Sequence, residues 1–308
     1  MISYKKLFLI LEEHEISKTE LQRQTGISSA TLAKLSKNEE VSMKTIQSIC
    51  EFLDCQPGEI LSMEKEIDKN SLMYKLREEM EIKLKGGLYH QTQVRLAYNS
   101  NHMEGSRLTE EQTRSIYETH TIGTGDSNAR IDDIIETVNH FRCFDYVLGI
   151  ADKELSEDVI KHIHFILKSN TTDSMLDWFA VGDYKKRPNM VGNMVKTTPP
   201  SKVPAAMKLL LKEYRMIENI TFEDIVDFHY KFEKIHPFQD GNGRVGRLIM
   251  FKECLKSNIV PFIIEDVDKE FYRRGLQEYL AEKGYLMETC RASQDKYKML
   301  LKYFESDS

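Results

Sequence analysis

The sequence predicts an all-α protein: a small N-terminal helical domain, a charged linker, and a larger helical bundle containing one β-hairpin. Helix start signals recur at capping-box spacing, at Ser17 with Glu20 and at Thr109 with Gln112. Glycines stand at 26, 86–87 and 105, where helices should stop. A single segment, 184–200, departs from the helical pattern. In it Met190-Val191, Gly192-Asn193 and Met194-Val195 spell a hairpin with a two-residue, Gly-first turn.

Composition sets the class. The 308 residues are 41% apolar and 30% charged, ordinary for a soluble globular protein and enough for one large domain plus a small one. The net charge of −6 argues against bulk nucleic-acid affinity, though not against a local basic face. No apolar run reaches membrane-span length, and the N-terminus lacks a signal-peptide pattern. Cys50, Cys55, Cys143, Cys254 and Cys290 include no C-x-x-C pair. They read as reduced, mostly buried thiols of a cytoplasmic protein without a zinc site.

Residues 1–62 form the first domain. Ser17 caps a helix that Gly26 ends, and Ser28 or Ser29 caps the next. A further helix follows Ser42. Leu21, Ile27, Leu32 and Leu35 face inward, and the pair resembles a phage-repressor-type helix-turn-helix. DNA would meet residues 17–37, with Ser28, Ser29, Thr31 and Lys34 toward the bases. Seven basic residues against nine acidic ones to residue 62 make a thin phosphate footprint, so a protein-docking role stands beside DNA binding.

Residues 63–70 are the charged linker, and 71–305 the second domain. Helices are expected over 71–85 and from 88 toward 101, ending in Ser100-Asn101-His102-Met103-Glu104-Gly105. Further helices follow Thr109 and span 131–150 and 156–168, after a loop at 120–130. His162 and His164 sit two apart and read as structural, because residues so spaced do not share a helix face. Pro204 begins another helix, and a helix over 222–234 carries His229, read as a helix-flank residue. Helices over 243–256, 268–282 and 291–304 complete the bundle, and Trp178 is assigned to packing.

The chemistry concentrates at residues 236–247, His-Pro-Phe-Gln-Asp-Gly-Asn-Gly-Arg-Val-Gly-Arg. His236 can take a proton near neutral pH. Asp240 is a hard oxygen ligand suited to Mg²⁺. Gly241, Asn242 and Gly243 allow a turn whose N–H groups meet an anion at a helix N-terminus. Arg244 and Arg247, three apart, share the face above it and suit a polyphosphate.

These residues closely resemble the Fic family motif, His-Pro-Phe-x-(Asp/Glu)-Gly-Asn-(Gly/Lys)-Arg-x-x-Arg, at every specified position. The resemblance implies transfer of AMP from ATP to a hydroxyl of a protein target, which could be the chain itself. It implies His236 as general base, Asp240 as Mg²⁺ ligand, and Gly241, Asn242, Gly243 and Arg244 on the phosphates. Arg247 would take the terminal phosphate, Phe238 would anchor the loop, and Tyr272 would help bind nucleotide. Ser100, Glu104 and Gly105 resemble the inhibitory (Ser/Thr)-x-x-x-Glu-(Gly/Asn) of many Fic proteins, which implies a Glu104–Arg247 pair. Met190, Val191, Gly192, Asn193, Met194 and Val195 fall where the family has its flap, a hairpin that holds the target as an added strand. Removal of AMP by water, transfer of another nucleotide-derived group, and a transcription regulator with a nucleotide-sensing domain stay open as alternatives. So does a homo-oligomer.

Overall fold

The computed structural model describes residues 2–14, 16–63, 71–122, 129–191 and 195–306. The chain divides into two compact units, Met1–Asp68 and Lys69–Ser308.

In the first unit a short strand β1 (Ile2–Ser3) leads into α1 (Lys5–Glu13), α2 (Lys18–Thr25), α3 (Ser29–Ser36), α4 (Met43–Leu53), α5 (Pro57–Ile60) and strand β2 (Ser62–Met63). Ser17, Ser28 and Ser42 cap α2, α3 and α4 by accepting the N–H of Glu20, Thr31 and Thr45, and Gly26 ends α2 at φ +69°. Leu7, Leu11, Leu21, Leu35, Ile46, Ile49 and Ile60 make the core, with Ile27 and Leu32 packed on it. The sequence reading missed two features. Leu7 and Leu11, four apart, put one apolar stripe of α1 into that core. β1 and β2 pair antiparallel, Ile2 with Met63, so the predicted hairpin is not the sole strand pair.

The second unit runs α6 (Leu72–Glu81), α7 (Leu88–Met103), α8 (Glu110–Thr119), α9 (Ile131–Gly149), α10 (Glu157–Lys168), strands β3 (Met190–Val191) and β4 (Val195–Lys196), then α11 (Val203–Arg215), α12 (Phe222–Ile235), α13 (Asn242–Lys256), α14 (Lys269–Glu278) and α15 (Gly284–Ser306). α13 is its axis. Almost every residue of α13 is buried, and α6, α7, α9, α10 and α12 pack around it. One apolar cluster (Phe144, Ile163, Phe232, Phe238, Leu248, Phe251) lies on one side of α13. A second (Met103, Ile225, Met250, Cys254, Tyr272, Leu286) lies on the other.

Four boundaries differ from expectation. α14 ends at Glu278, four residues before the expected 282. α6 stops at Glu81, because Lys83 and Gly86 take positive φ and Glu79 turns to accept the Tyr89 N–H at 2.7 Å. That bond caps α7, whose own N-cap, Gly87, has no side chain to do so. α15 starts at Gly284, seven residues before the expected 291. Val191 pairs with Val195 and Met190 with Lys196, leaving three residues between the strands instead of the expected two. Gly192, Asn193 and Met194 lie outside the described residues. Among the described residues no helix is long and apolar enough to cross a membrane.

Candidate active site

The site begins where α12 ends. His236 is its C-cap, at φ +52°, a left-handed conformation that a non-glycine residue adopts only when its surroundings hold it. The holding groups are identifiable. Its N–H donates to the Phe232 carbonyl at 2.9 Å, and the next carbonyl, of Pro237, accepts from Lys185 N at 2.9 Å. Phe238 is fully buried and stacks on the His164 ring at 4.0 Å between centroids. His164 Nδ1 accepts the Gly182 N–H at 2.9 Å, so its Nε2 carries the proton toward the Asp240 carbonyl at 3.2 Å. The structural reading of His164 thus gains a specific task, steadying the loop that presents Asp240.

Asn242 braces the same loop from inside. Its Oδ1 accepts Phe238 N at 2.8 Å and its Nδ2 donates to Phe238 O at 2.9 Å. With Oδ1 and one Nδ2 hydrogen committed to Phe238, the Asn242 side chain braces the loop and its backbone N–H is the group placed to meet an anion. Gly241, at φ +79°, is the N-cap of α13. The N–H groups of the first turn after it have no carbonyl one turn earlier and carry the positive end of the helix dipole.

The two arginines have different partners. Arg244 is sealed in. Its Nη2 donates to Asp240 Oδ2 at 3.0 Å, and its Nη1 pairs with Glu136 and reaches Asn101 Oδ1 at 3.4 Å. Lys168, 2% exposed, closes the square, donating to Asp240 Oδ2 at 2.7 Å and pairing with Glu136. Burial pushes Asp240 up, but Arg244 and Lys168 outweigh it and hold the carboxyl well below the usual carboxylate range. Arg247, 5% exposed, turns to α7. Its Nε donates to Ser100 Oγ at 2.9 Å, and its Nη2 to Ser100 O at 2.9 Å and Glu104 Oε1 at 2.7 Å. Burial pushes Glu104 up, yet Arg247 and Arg244 outweigh it and keep the carboxyl below its ordinary value. Gly105 takes φ +95°, and its carbonyl accepts from Arg130 Nη2 at 3.0 Å.

His236 is pushed down to about 4, by burial first and by Lys185 second, against Glu104 and Asp240, which raise it. Its ring is therefore neutral at pH 7 and free to accept a proton. Asp240 presents a firmly ionised carboxylate, with Oδ2 committed to Lys168 and Arg244. That fits Mg²⁺, which typically binds one or two carboxylates together with substrate phosphates.

Two residues sit differently from expectation. Tyr272 is 4% exposed in the second apolar cluster, and its hydroxyl lies 2.5 Å from His229 Nε2. Its polar end is thus spent inside the protein instead of facing a nucleotide. His229 is no flank residue. It is buried where α12, α13 and α14 meet, against Gly246. Beside it Glu233 Oε1 is buried without a hydrogen-bond partner, and burial lifts that carboxyl to about 8 against the pull of Arg247. Glu136, Lys168, Lys185 and Glu233 all escaped the sequence reading. On periodicity each is a polar position on a helix or in a loop, and only the fold brings them to the motif. Trp178 packs beside Phe179, with the Arg187 guanidinium 4.7 Å from its ring centre.

In the first unit, of the four expected base-facing residues, Ser28 and Thr31 hydrogen-bond each other at 2.9 Å and Ser29 accepts from Gln22 at 3.1 Å. Lys34 is exposed at the end of α3.

Comparison with known proteins matches residues 154–254 to the Fic/DOC family and residues 6–66 to the Cro/C1-type HTH DNA-binding domain. The protein adenylyltransferase Fic of Drosophila erecta is 28% identical over 199 residues, covering 61% of this chain and 37% of that protein. Its namesake in Nematostella vectensis is 28% identical over 185 residues, covering 59% and 42%. The chain thus spans well under half the length of these curated relatives. Among solved structures, a Fic-domain-containing signalling protein from Bacteroides thetaiotaomicron superposes with a TM-score of 0.57 at 24% identity, covering 76% of this chain and 91% of its own. A Fic family protein from Desulfovibrio desulfuricans superposes at 0.58 with 21% identity, covering 79% and 76%.

Proposed function

For a chain in which a Fic domain and an N-terminal Cro/C1-type helix-turn-helix domain are both present, we propose protein AMP transfer held in check by its own Glu104. The donor is ATP and the acceptor a Ser, Thr or Tyr hydroxyl of a protein. The observation that carries the reading is the convergence on one helix N-terminus of a neutral, half-buried imidazole, an ionised carboxylate and an arginine occupied by a carboxylate.

His236 takes the acceptor proton. The hydroxyl oxygen bonds to the α-phosphorus, the bond to the β-phosphate oxygen breaks, and pyrophosphate leaves. The first-turn N–H groups of α13 offset negative charge developing on the phosphate oxygens. Asp240, oriented by Arg244 and Lys168, would hold Mg²⁺, which supplies charge neutralisation on the phosphates when bound. Arg247 receives the terminal phosphate once Glu104 withdraws, because one guanidinium edge cannot serve both anions. Pairing through the β3–β4 edge would let the target dock with little demand on its sequence. The names of the adenylyltransferase relatives support the transferred group.

One observation favours a second reading, removal of AMP by water. The Glu104 carboxylate is held ionised beside Arg247, as a water-orienting group would be. A single assay separates the two. ATP labelled at the α-phosphate, with Mg²⁺, is given to wild type, Glu104→Gly and His236→Ala. AMP transfer predicts label on protein, strong in Glu104→Gly, weak in wild type and absent in His236→Ala. Release of label from pre-modified protein by wild type but not by Glu104→Gly would point to removal. For the first unit we propose DNA as partner, through residues 17–37. A gel shift whose affinity does not fall with salt would argue against it.

A further inference from the structure

Lys185 is a buried cation, 2% exposed, and among the described residues none of the ion pairs includes it. Its ammonium instead donates to two neutral oxygens, Asn189 Oδ1 at 2.7 Å and Thr197 Oγ1 at 2.6 Å. Those residues stand just before β3 and just after β4. Thr197 Oγ1 also lies 2.9 Å from the Asn189 carbonyl and 2.7 Å from Asn189 Oδ1, and gives its single proton to one of them. The knot is tied to the catalytic loop as well. Asn189 Nδ2 donates to the carbonyls of Phe238 at 2.9 Å and Gln239 at 3.2 Å, and Lys185 N donates to Pro237 O at 2.9 Å.

We propose that Lys185 is a positioning residue that locks the roots of the β3–β4 hairpin to the His236 loop, so that a strand added to the hairpin arrives in register with the base. This rests on the AMP-transfer reading for the identity of the added strand, but not for the lock itself. The argument is one of cost. A buried ammonium without a counter-charge is expensive, and here burial alone lowers Lys185 to about 8. Methionine would pack the same stem without that penalty. What the ammonium adds is a three-donor head that bridges both roots at once. The register agrees. Val191 pairs with Val195 across three residues, a pairing consistent with locking at the Asn189–Thr197 end. The charge has a second effect, since it is the leading side-chain influence holding His236 down, opposed by Glu104 and Asp240, with the Glu233 carbonyl beside the ring also raising it.

The test uses the full chain with Lys185→Met, Lys185→Arg and Thr197→Val, and does not need turnover. Hydrogen exchange over residues 187–198 should quicken about tenfold or more in Lys185→Met and in Thr197→Val, and return toward wild type in Lys185→Arg. The His236 ring, followed by NMR against His236→Ala, should titrate higher in Lys185→Met and unchanged in Thr197→Val, which keeps the ammonium. In a Glu104→Gly background, the KM for an acceptor protein should rise in Lys185→Met while ATP affinity holds. Wild-type exchange in both Lys185→Met and Thr197→Val overturns the lock. If Lys185→Met does not fold, Thr197→Val alone decides it. Absence of label on protein in the Glu104→Gly background would sink the AMP-transfer reading while leaving the exchange result to judge the lock.

Discussion

Arg247 and Glu104 meet at 2.7 Å in a pocket that leaves the guanidinium 5% exposed. Glu104 is the C-cap of α7 and donates its own N–H to the Asn101 carbonyl. Its carboxylate can therefore swing off Arg247 without unwinding a turn of helix. A charge-assisted pair of this kind contributes about 1.5–3 kcal/mol, or roughly ten- to a hundredfold in competition with a phosphate. Glu104→Gly should tighten ATP binding by about that factor, read by calorimetry, and raise label transfer with it. Unchanged affinity would remove the contact from any inhibitory role.

Gly243 makes the same point from the other side. A Cβ there would overlap Glu104 Oε1 and crowd Arg247 Nη1. Gly243→Ala should expel the Glu104 side chain and raise ATP affinity about tenfold without touching the glutamate. Combined with Glu104→Gly it should add nothing further, because the group it displaces is gone. Additive gains in the double variant would mean that Gly243 acts through another contact.

His236→Ala should abolish transfer while ATP still binds. The pH dependence is more specific. The base works when neutral, so activity should hold as pH falls from 7 to about 5 and drop near 4, where the ring protonates. An acid limb centred near 6.5, the ordinary value for histidine, would show that burial and Lys185 do not govern the ring.

Glu233 should leave a mark on stability. Its folded value, about 8, lies above the ordinary value of 4.5. Between those values the folded state holds a proton that the unfolded state has lost. Its share of stability is therefore full below about 4.5 and is lost as pH rises toward 8. Glu233→Gln keeps the shape without the charge. It should be more stable than wild type at pH 8, by about 1 kcal/mol or more, and no more stable at pH 4. Chemical denaturation at the two pH values checks this, and an equal difference at both would rule the ionisation out.

Gly246 has no room for a side chain. A Cβ would come within 2.8 Å of His229 Cε1 and 2.9 Å of Glu233 Oε1. Gly246→Ala should cost about 1–3 kcal/mol by overpacking, seen as a lowered melting temperature.

The contrast between Asp240 and its supports explains what the sequence disclosed. Asp240, Arg244 and Arg247 lie on one turn and the first turns of one helix, so their spacing already fixed their shared face. Lys168, which helps Arg244 keep Asp240 ionised, comes from α10, and Glu136, which pairs with both cations, comes from α9, 72 and 104 positions away in the chain. At the end of an amphipathic helix a lysine has the pattern of a solvated residue, and nothing local marks it as buried. His229 was misplaced for the same reason, its partner Tyr272 lying 43 residues on. The capped helices of the first unit were legible because capping is local. β1 was not, because a two-residue strand exists only through its partner at Ser62–Met63.

That pairing of Ile2 with Met63 brings the polypeptide into the helix-turn-helix unit and out of it through one doorway, about one strand spacing or 5 Å wide. A unit closed in this way can be spliced into the surface loop of a foreign host without prising the loop apart. Ends this close are the arrangement in which joining them and cutting a new opening elsewhere is generally tolerated. The first unit is built as a cassette: its apolar core, from Leu7 to Ile60, is drawn from the residues between the two strands of the doorway.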